Sequence, residues 1–182
     1  MRSQHTHAPG ALVSPWIRRW SRLVVPGCEV LDLACGGGRH SRWFAGRGHP
    51  VTAVDRDPAI SVWADAETLV TPVIADLENG EWPLGGQTFG AVVVTNYLHR
   101  PLFPHILACV GPGGWLLYET FSAGNERYGR PSNPAFLLRS GELLETVAGQ
   151  LRVVAYEDRR VDRLAPALVQ RIAAVRGNVP GW

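Results

Sequence analysis

The run Leu31-Asp32-Leu33-Ala34-Cys35-Gly36-Gly37-Gly38 sets a carboxylate four positions before the first of three consecutive glycines. Glycines that follow a strand let the backbone approach a ligand closely and turn sharply into a helix, whose first N–H groups then face an anionic group. A dinucleotide fingerprint would require Gly36-x-Gly38-x-x-Gly, but the third of those positions is Ser41. That disfavours a nicotinamide site. Asp32 can brace the loop and reach a cationic amino group, which suits a cofactor with an amino-acid portion. Asp55, 17 positions after Gly38, is able to accept from two vicinal ribose hydroxyls. Its alternative use, as a helix cap, is already served by Asp57. Asp76 is placed to accept from the exocyclic amine of an adenine, or is an ordinary turn aspartate. A strand-turn-helix packing device with no ligand would explain the glycines, but not three acids in register with them.

Such residues need strands to end beside one another. Val30–Ala34, Val51–Val54 and Pro72–Ala75 are short apolar or β-branched runs, and each leads into one of the positions above. Between them lie a helix with Trp43 and Phe44, ending near Gly46 and Gly48, and a helix from Asp57-Pro58 through about Leu69. Leu77 to Thr88 reads as a connection with little helix. A fourth strand, Phe89–Thr95, precedes a helix with Pro101 and Pro104 in its first turns. Gly111-Pro112-Gly113-Gly114 reads as a turn into a fifth strand, Trp115–Thr120. Residues 122–135 form a long loop, of the kind that carries function. A helix near Ser140–Ala148 follows, then strands at Arg152–Tyr156 and Ala167–Ala174, the last of which could also be a helix. Ser14 and Pro15 cap and start an earlier helix. Alternation of this kind predicts an α/β fold: a doubly wound, Rossmann-like, mostly parallel seven-stranded sheet with helices on both faces. Ligands in such sheets bind outside the carboxyl ends of the strands.

Composition narrows the classes further. The chain has 182 residues, 46% hydrophobic and 19% charged, with a net charge of +2. That length suits one domain, taken as residues 14–182, behind a disordered segment 1–13. The balanced charge gives no nucleic-acid or membrane footprint. All 18 basic residues are arginine, which base composition of the genome explains better than selection for anion contacts. Cys28, Cys35 and Cys109 show neither a CxxC pair nor zinc spacing, so no metal is expected. Three such cysteines suit a reducing compartment. The segment MRSQHTHAPG lacks the apolar core of a signal peptide, and no apolar run approaches the roughly 20 residues of a membrane span. The expected location is cytoplasmic.

Val30–Gly38 resembles the first motif of class I S-adenosylmethionine-dependent methyltransferases. Asp55 and Asp76 stand where that family keeps its ribose-binding and adenine-binding acids. Phe89–Tyr97 resembles the fourth motif, and Gly111–Leu117 the strand after it. The resemblance covers roughly residues 28–121, and within the superfamily the chain is most similar to small bacterial enzymes like the tellurite-resistance methyltransferases. It departs from the pattern at Phe89-Gly90, where a Phe-Asp pair is usual. It also departs at Thr95-Asn96-Tyr97-Leu98, which is not the Asn-Pro-Pro-Tyr signature of adenine and glutamine methylation.

The resemblance implies that S-adenosylmethionine is held by Asp32, Ala34, Cys35, Gly36, Gly38, Asp55, Arg56, Asp76, Leu77 and Asn96. Candidates facing the transferred methyl group are Tyr97, His99 and Arg100. His99 reads equally as a surface or N-cap histidine, and Tyr97 equally as packing against the cofactor. Asn125, Arg127, Tyr128, Arg130 and Arg139 populate the loop after strand five. With Arg100, those arginines suggest a small, anionic or soft nucleophilic acceptor. A methyltransferase acting on protein or RNA, and a binding module without turnover, are the other readings. Trp16 either covers the cofactor as a lid or packs in the core.

Overall fold

A computed structural model describes residues 12–162 and 165–178. Most of the expected disordered segment therefore lies outside the described residues. Helix α1 (Pro15–Trp20) leads through a short 3-10 turn to β1 (Val30–Leu33), and α2 (Arg39–Ala45), β2 (Val51–Asp55), α3 (Ala59–Ala64) and β3 (Val70–Ile74) follow. The second half comprises β4 (Phe89–Thr95), α4 (Phe103–Ala108), β5 (Val110–Phe121), α5 (Glu142–Val147), β6 (Arg152–Asp162) and β7 (Pro166–Val175). The strands form one seven-stranded sheet in the order β3-β2-β1-β4-β5-β7-β6. Strands β1 to β5 pair in parallel, and β7 runs antiparallel to both β5 and β6. This is the doubly wound α/β sheet that the alternation predicts.

Two apolar layers sandwich the sheet, and strand periodicity divides residues between them. In β4, Val92 and Val94 join one layer while Ala91 and Val93 join the other. In β5 the split is Leu116 and Tyr118 against Trp115 and Leu117. Helices α4 and α5 cover the first layer through Ile106, Leu107, Leu143 and Val147. Helices α1, α2 and α3 cover the second through Trp16, Ile17, Phe44, Ile60 and Ala64. All four residues of β1 are buried, as a central strand covered on both faces requires.

Ser14 caps α1 by accepting from Trp16 and Ile17 N–H, with Pro15 at the first helical position. Trp16 is 3% exposed and donates from Nε1 to the Ile172 carbonyl at 3.2 Å. It is a core residue, which corrects the lid reading.

Two boundaries also differ from expectation. Helix α3 stops at Ala64 rather than near Leu69: beyond it the Glu67 and Val70 N–H groups turn to the Ala64 and Glu67 carbonyls three residues back, at 2.8 and 3.0 Å, and so break the helical ladder. The Gly111–Gly114 turn lies inside β5, where the pairing with β4 shifts register. A Cβ on Gly114 would stand 2.6 Å from the Phe89 carbonyl, so glycine permits this close crossing. The last two segments form a long antiparallel hairpin, which resolves β7 as a strand. Among the described residues, no helix is long and apolar enough to cross a membrane.

Candidate active site

The carboxyl ends of β1, β2, β3 and β4 bring most of the expected residues to one edge. Where β1 stops, the chain passes through three left-handed residues in five, Ala34 (φ 53), Gly36 (φ 53) and Gly38 (φ 72). Only glycine adopts that region at little cost, so the second and third of these explain the sequence, while Ala34 bears strain of about 1 kcal/mol. The Cys35 N–H is tied to the Val54 carbonyl at 3.0 Å, which fixes the loop against β2.

Asp55 supports this loop directly. One carboxylate oxygen accepts from Gly36 N–H at 2.8 Å and the other from Asp57 N–H at 3.0 Å. A carboxylate has about four acceptor positions, so two bonds hold it and the remainder face outward. Asp57 accepts from Ala59 N–H at 2.9 Å, which starts α3 and leaves Asp55 unneeded as a cap. Asp32 is buried and accepts from the Ser41 hydroxyl at 2.6 Å. Burial pushes its carboxyl up to about 6, against the lowering effect of the Ser41 bonds and the Arg39 charge.

Asp76 accepts from Glu78 N–H and from the Asn79 amide at 2.9 and 3.1 Å, which hold its carboxyl below the ordinary value. These bonds are those of a turn aspartate, and they also fix a charged acceptor beyond β3. Arg56 is exposed beside Asp55, and Leu77 is buried in the first apolar layer. Cys35 is buried, and desolvation with the nearby Asp32 and Asp55 charges pushes its thiol up, so it stays neutral.

Asn96 leaves β4 in a left-handed conformation (φ 55), with its N–H bonded to the Glu119 carbonyl at 2.9 Å. The Tyr97 carbonyl accepts from the Tyr118 hydroxyl at 2.8 Å, and its ring packs on the first layer. Its own hydroxyl is buried without a partner among the described residues. Burial raises the Tyr97 hydroxyl, and so do the Glu78 and Asp76 charges, which places it within electrostatic reach of the β3 end. His99 precedes a 3-10 turn as its N-cap residue and makes no side-chain cap bond.

Arg100 is engaged by its own chain. Nε and Nη2 bond the two Glu142 oxygens at 2.6 and 2.9 Å, and the guanidinium also donates to the Ala135 and Leu137 carbonyls. A bidentate pair with two further carbonyl bonds uses the fork on structure. Arg139 likewise pairs with Glu145 at 3.1 Å and lies 3.7 Å from Glu142. The expected four-arginine cluster thus reduces to Arg127 and Arg130, neither of which has an ion pair among the described residues.

A cavity of about 330 Å³ opens beside Asn96, between the loop after β5 and the β6–β7 hairpin. Phe121, Tyr128, Val161 and Val169 supply apolar wall, and Glu119, Asn125 and Arg130 supply polar groups. Asn125 is committed to the backbone, donating to the Pro131 carbonyl and accepting from Leu168 N–H.

A buried polar chain beneath the cavity escapes sequence reading. Ser14 N–H donates to His40 Nε2 at 3.2 Å, and Thr95 lies 3.3 Å from His40 Nδ1. The Ser14 hydroxyl donates to Glu119 at 3.0 Å, and Arg171 bridges Glu119 to Glu157 at 3.2 and 2.7 Å. Only the charge of Glu119 at a strand end signals this chain in the sequence. His40 and Arg171 have no local pattern that marks them.

Residues 30–114 match the family model described as "Methyltransferase domain". The ubiquinone biosynthesis O-methyltransferase of Burkholderia thailandensis is 30% identical over 122 residues, which are 62% of this chain and 52% of that protein. The chain spans about half the length of the curated relatives it matches. TehB from Haemophilus influenzae superposes with a TM-score of 0.75 at 18% identity, covering 93% of this chain and 64% of that one. The 1,6-didemethyltoxoflavin-N1-methyltransferase of Burkholderia thailandensis, solved with bound 1,6-didemethyltoxoflavin and S-adenosylhomocysteine, gives a TM-score of 0.67 at 21% identity, covering 91% of this chain and 78% of that one.

Proposed function

We propose, from the match of residues 30–114 to a methyltransferase domain, that the chain is a class I S-adenosylmethionine-dependent methyltransferase and transfers a methyl group from S-adenosylmethionine to a small acceptor. The observation that carries this reading is the Asp55 carboxylate, fixed by the Gly36 and Asp57 N–H groups at the edge of the left-handed loop. The donor set fits a nucleoside joined to an amino acid. Asp55 accepts from ribose hydroxyls, Asp76 and Leu77 meet the adenine, and the Ala34–Gly38 backbone receives the amino-acid end. Arg56 and Asn96 line the same edge. Asp32 acts beneath the loop through Ser41, shaping it without needing to touch the ligand. When bound, S-adenosylmethionine supplies a methyl group already activated by its sulfonium.

The chain's own part is to bind, align and exclude water. The cavity beside Asn96 lies at the lower end of the usual range for small-ligand sites, which supports a compact acceptor with an apolar body. Arg130 lines this cavity and, with Arg127 on the same loop, can receive an anionic group. An acceptor that arrives deprotonated needs no general base here. Tyr97 borders the cofactor side and His99 the exit from β4.

Titration calorimetry with S-adenosylhomocysteine, against NADH as control, tests the cofactor. S-adenosylhomocysteine is expected to bind and NADH not to. Asp55→Ala is expected to weaken the former by about 1.5–3 kcal/mol, the range for bonds to a charged group. Release of S-adenosylhomocysteine with a panel of small phenols, thiols, nitrogen heterocycles and metalloid oxyanions tests turnover. Binding without release on any acceptor would favour a non-catalytic module.

A further inference from the structure

The outside of the glycine loop is gripped by a stack of side chains to which the methyl-transfer reading gives no role. The Trp63 ring, from α3, lies so close over Gly38 that a Cβ there would stand 2.4–2.6 Å from three ring carbons. The Arg42 guanidinium, from α2, lies 4.7 Å from the centre of that ring. It also donates from Nη1 to the Gly37 carbonyl at 2.7 Å and pairs through Nε with Glu67 at 3.2 Å. One cation thus joins the loop, the α3 ring and the connection into β3.

We propose that Arg42 and Trp63 are positioning residues that hold the Gly36–Gly38 backbone in its ligand-receiving shape before the cofactor arrives, an inference that rests on the methyltransferase reading. Glycine has the most conformations to lose, and three in succession would leave the loop free to leave the left-handed region at Gly38. A ring pressed on Gly38 removes that freedom by volume, and the Arg42 bond orients the Gly37 carbonyl away from the side where N–H groups must point. Restricting a binding loop in its bound conformation raises affinity by reducing the ordering that binding requires. The Trp63 indole N–H is buried with no partner among the described residues. No hydrogen bond therefore holds the ring, and its contribution is volume and the aromatic face beneath Arg42, both of which phenylalanine largely keeps.

The test compares Trp63→Ala, Trp63→Phe and Arg42→Met in the full chain. It uses titration with S-adenosylhomocysteine well below the melting temperature, melting curves without ligand, and amide hydrogen exchange at residues 36–38. Trp63→Ala is expected to weaken binding about tenfold and to speed exchange at the loop, and Trp63→Phe to return both to within about threefold of the parent. Arg42→Met, at a half-exposed position that folding tolerates, is expected to fall between them. A lower melting temperature for Trp63→Ala with unchanged affinity and unchanged loop exchange would overturn the proposal. So would a Phe variant no better than Ala. If the parent chain fails to bind S-adenosylhomocysteine, the methyltransferase reading fails instead, and loop exchange in the three variants still decides whether the stack holds the loop.

Discussion

On the β1–β3 side of the sheet's carboxyl edge, the bonds that shape the site join residues 9 and 19 apart, Ser41 to Asp32 and Gly36 to Asp55. On the β5 side, the loop after Phe121 is held by partners 31 to 43 residues away. Gln170 holds the Arg139 carbonyl, Arg100 holds Glu142, and Asn125 holds Leu168 N–H. The proposed cofactor side is thus built from backbone amides and nearby acids, and the proposed acceptor side from side chains that meet only after the sheet is complete. A loop of the second kind tolerates change in length and sequence so long as its few anchors persist.

The buried acids of the two sides also respond to pH with opposite sign. Burial pushes the Glu142 carboxyl up, but the Arg100 bonds and the Arg139 N–H more than offset this, leaving it below its ordinary value of 4.5. A depressed carboxyl contributes stability above its unfolded value and loses it as pH falls through the folded one. Asp32, raised from 3.8 to about 6, binds its proton more tightly when folded. Its cost is absent below about pH 4 and fully present above about pH 6.

The largest effect should come from cutting the acceptor-side anchor. Glu142→Gln leaves Arg100 without its charge partner. Breaking a buried pair from one side costs about 3–5 kcal/mol, and the partial exposure of Arg100 puts this case near 3. Urea unfolding at pH 7 measures it. The S-adenosylhomocysteine affinity of the folded variant should stay within about twofold if the two sides are built independently. An affinity that falls with stability would erase the contrast.

A smaller effect, of opposite sign, is expected on the cofactor side. Asp32→Asn removes a charge that is costly to bury, so the variant should be more stable than the parent by about 2 kcal/mol at pH 8. That advantage should vanish towards pH 4. Melting curves from pH 4.5 to 8 follow the crossing. A variant less stable at every pH would mean that the Ser41 bond outweighs the buried charge.

The smallest effect concerns the two arginines that keep no ion pair among the described residues. Arg127→Glu with Arg130→Glu should raise KM for an anionic acceptor by about fivefold, near 1 kcal/mol for exposed charges, without altering S-adenosylhomocysteine affinity. Equal turnover of neutral and anionic acceptors before and after the reversal would remove the anionic preference from the proposal.

The strands, their order along the chain and the left-handed glycine loop were legible because their causes are local. β-branched runs, glycines and Asp-Pro pairs act within a few residues, and a parallel sheet then aligns every strand end on one edge. Asp32, Asp55 and Asp76 could therefore be singled out from spacing alone. The end of α3 was not legible, because no glycine or proline marks the turn bonds that Glu67 and Val70 N–H make to Ala64 and Glu67. The extent of β5 was hidden by a glycine run that looks like a turn and serves as a crossing over Phe89.

Partner choice was decided only by the tertiary structure. An arginine looks the same in sequence whether it meets a carboxylate of its own chain or an arriving anion. Arg100 and Arg139 are claimed by α5, while Arg127 and Arg130 are not. Trp16 fits a lid or, more commonly, a core until α1 settles against β7. His40, Glu119 and Arg171 meet from three separate elements. Local propensity is set by each residue and its neighbours along the chain, so sequence determines it. A charge takes its partner from whatever distance and desolvation allow once distant segments pack, and that geometry exists only in the folded chain.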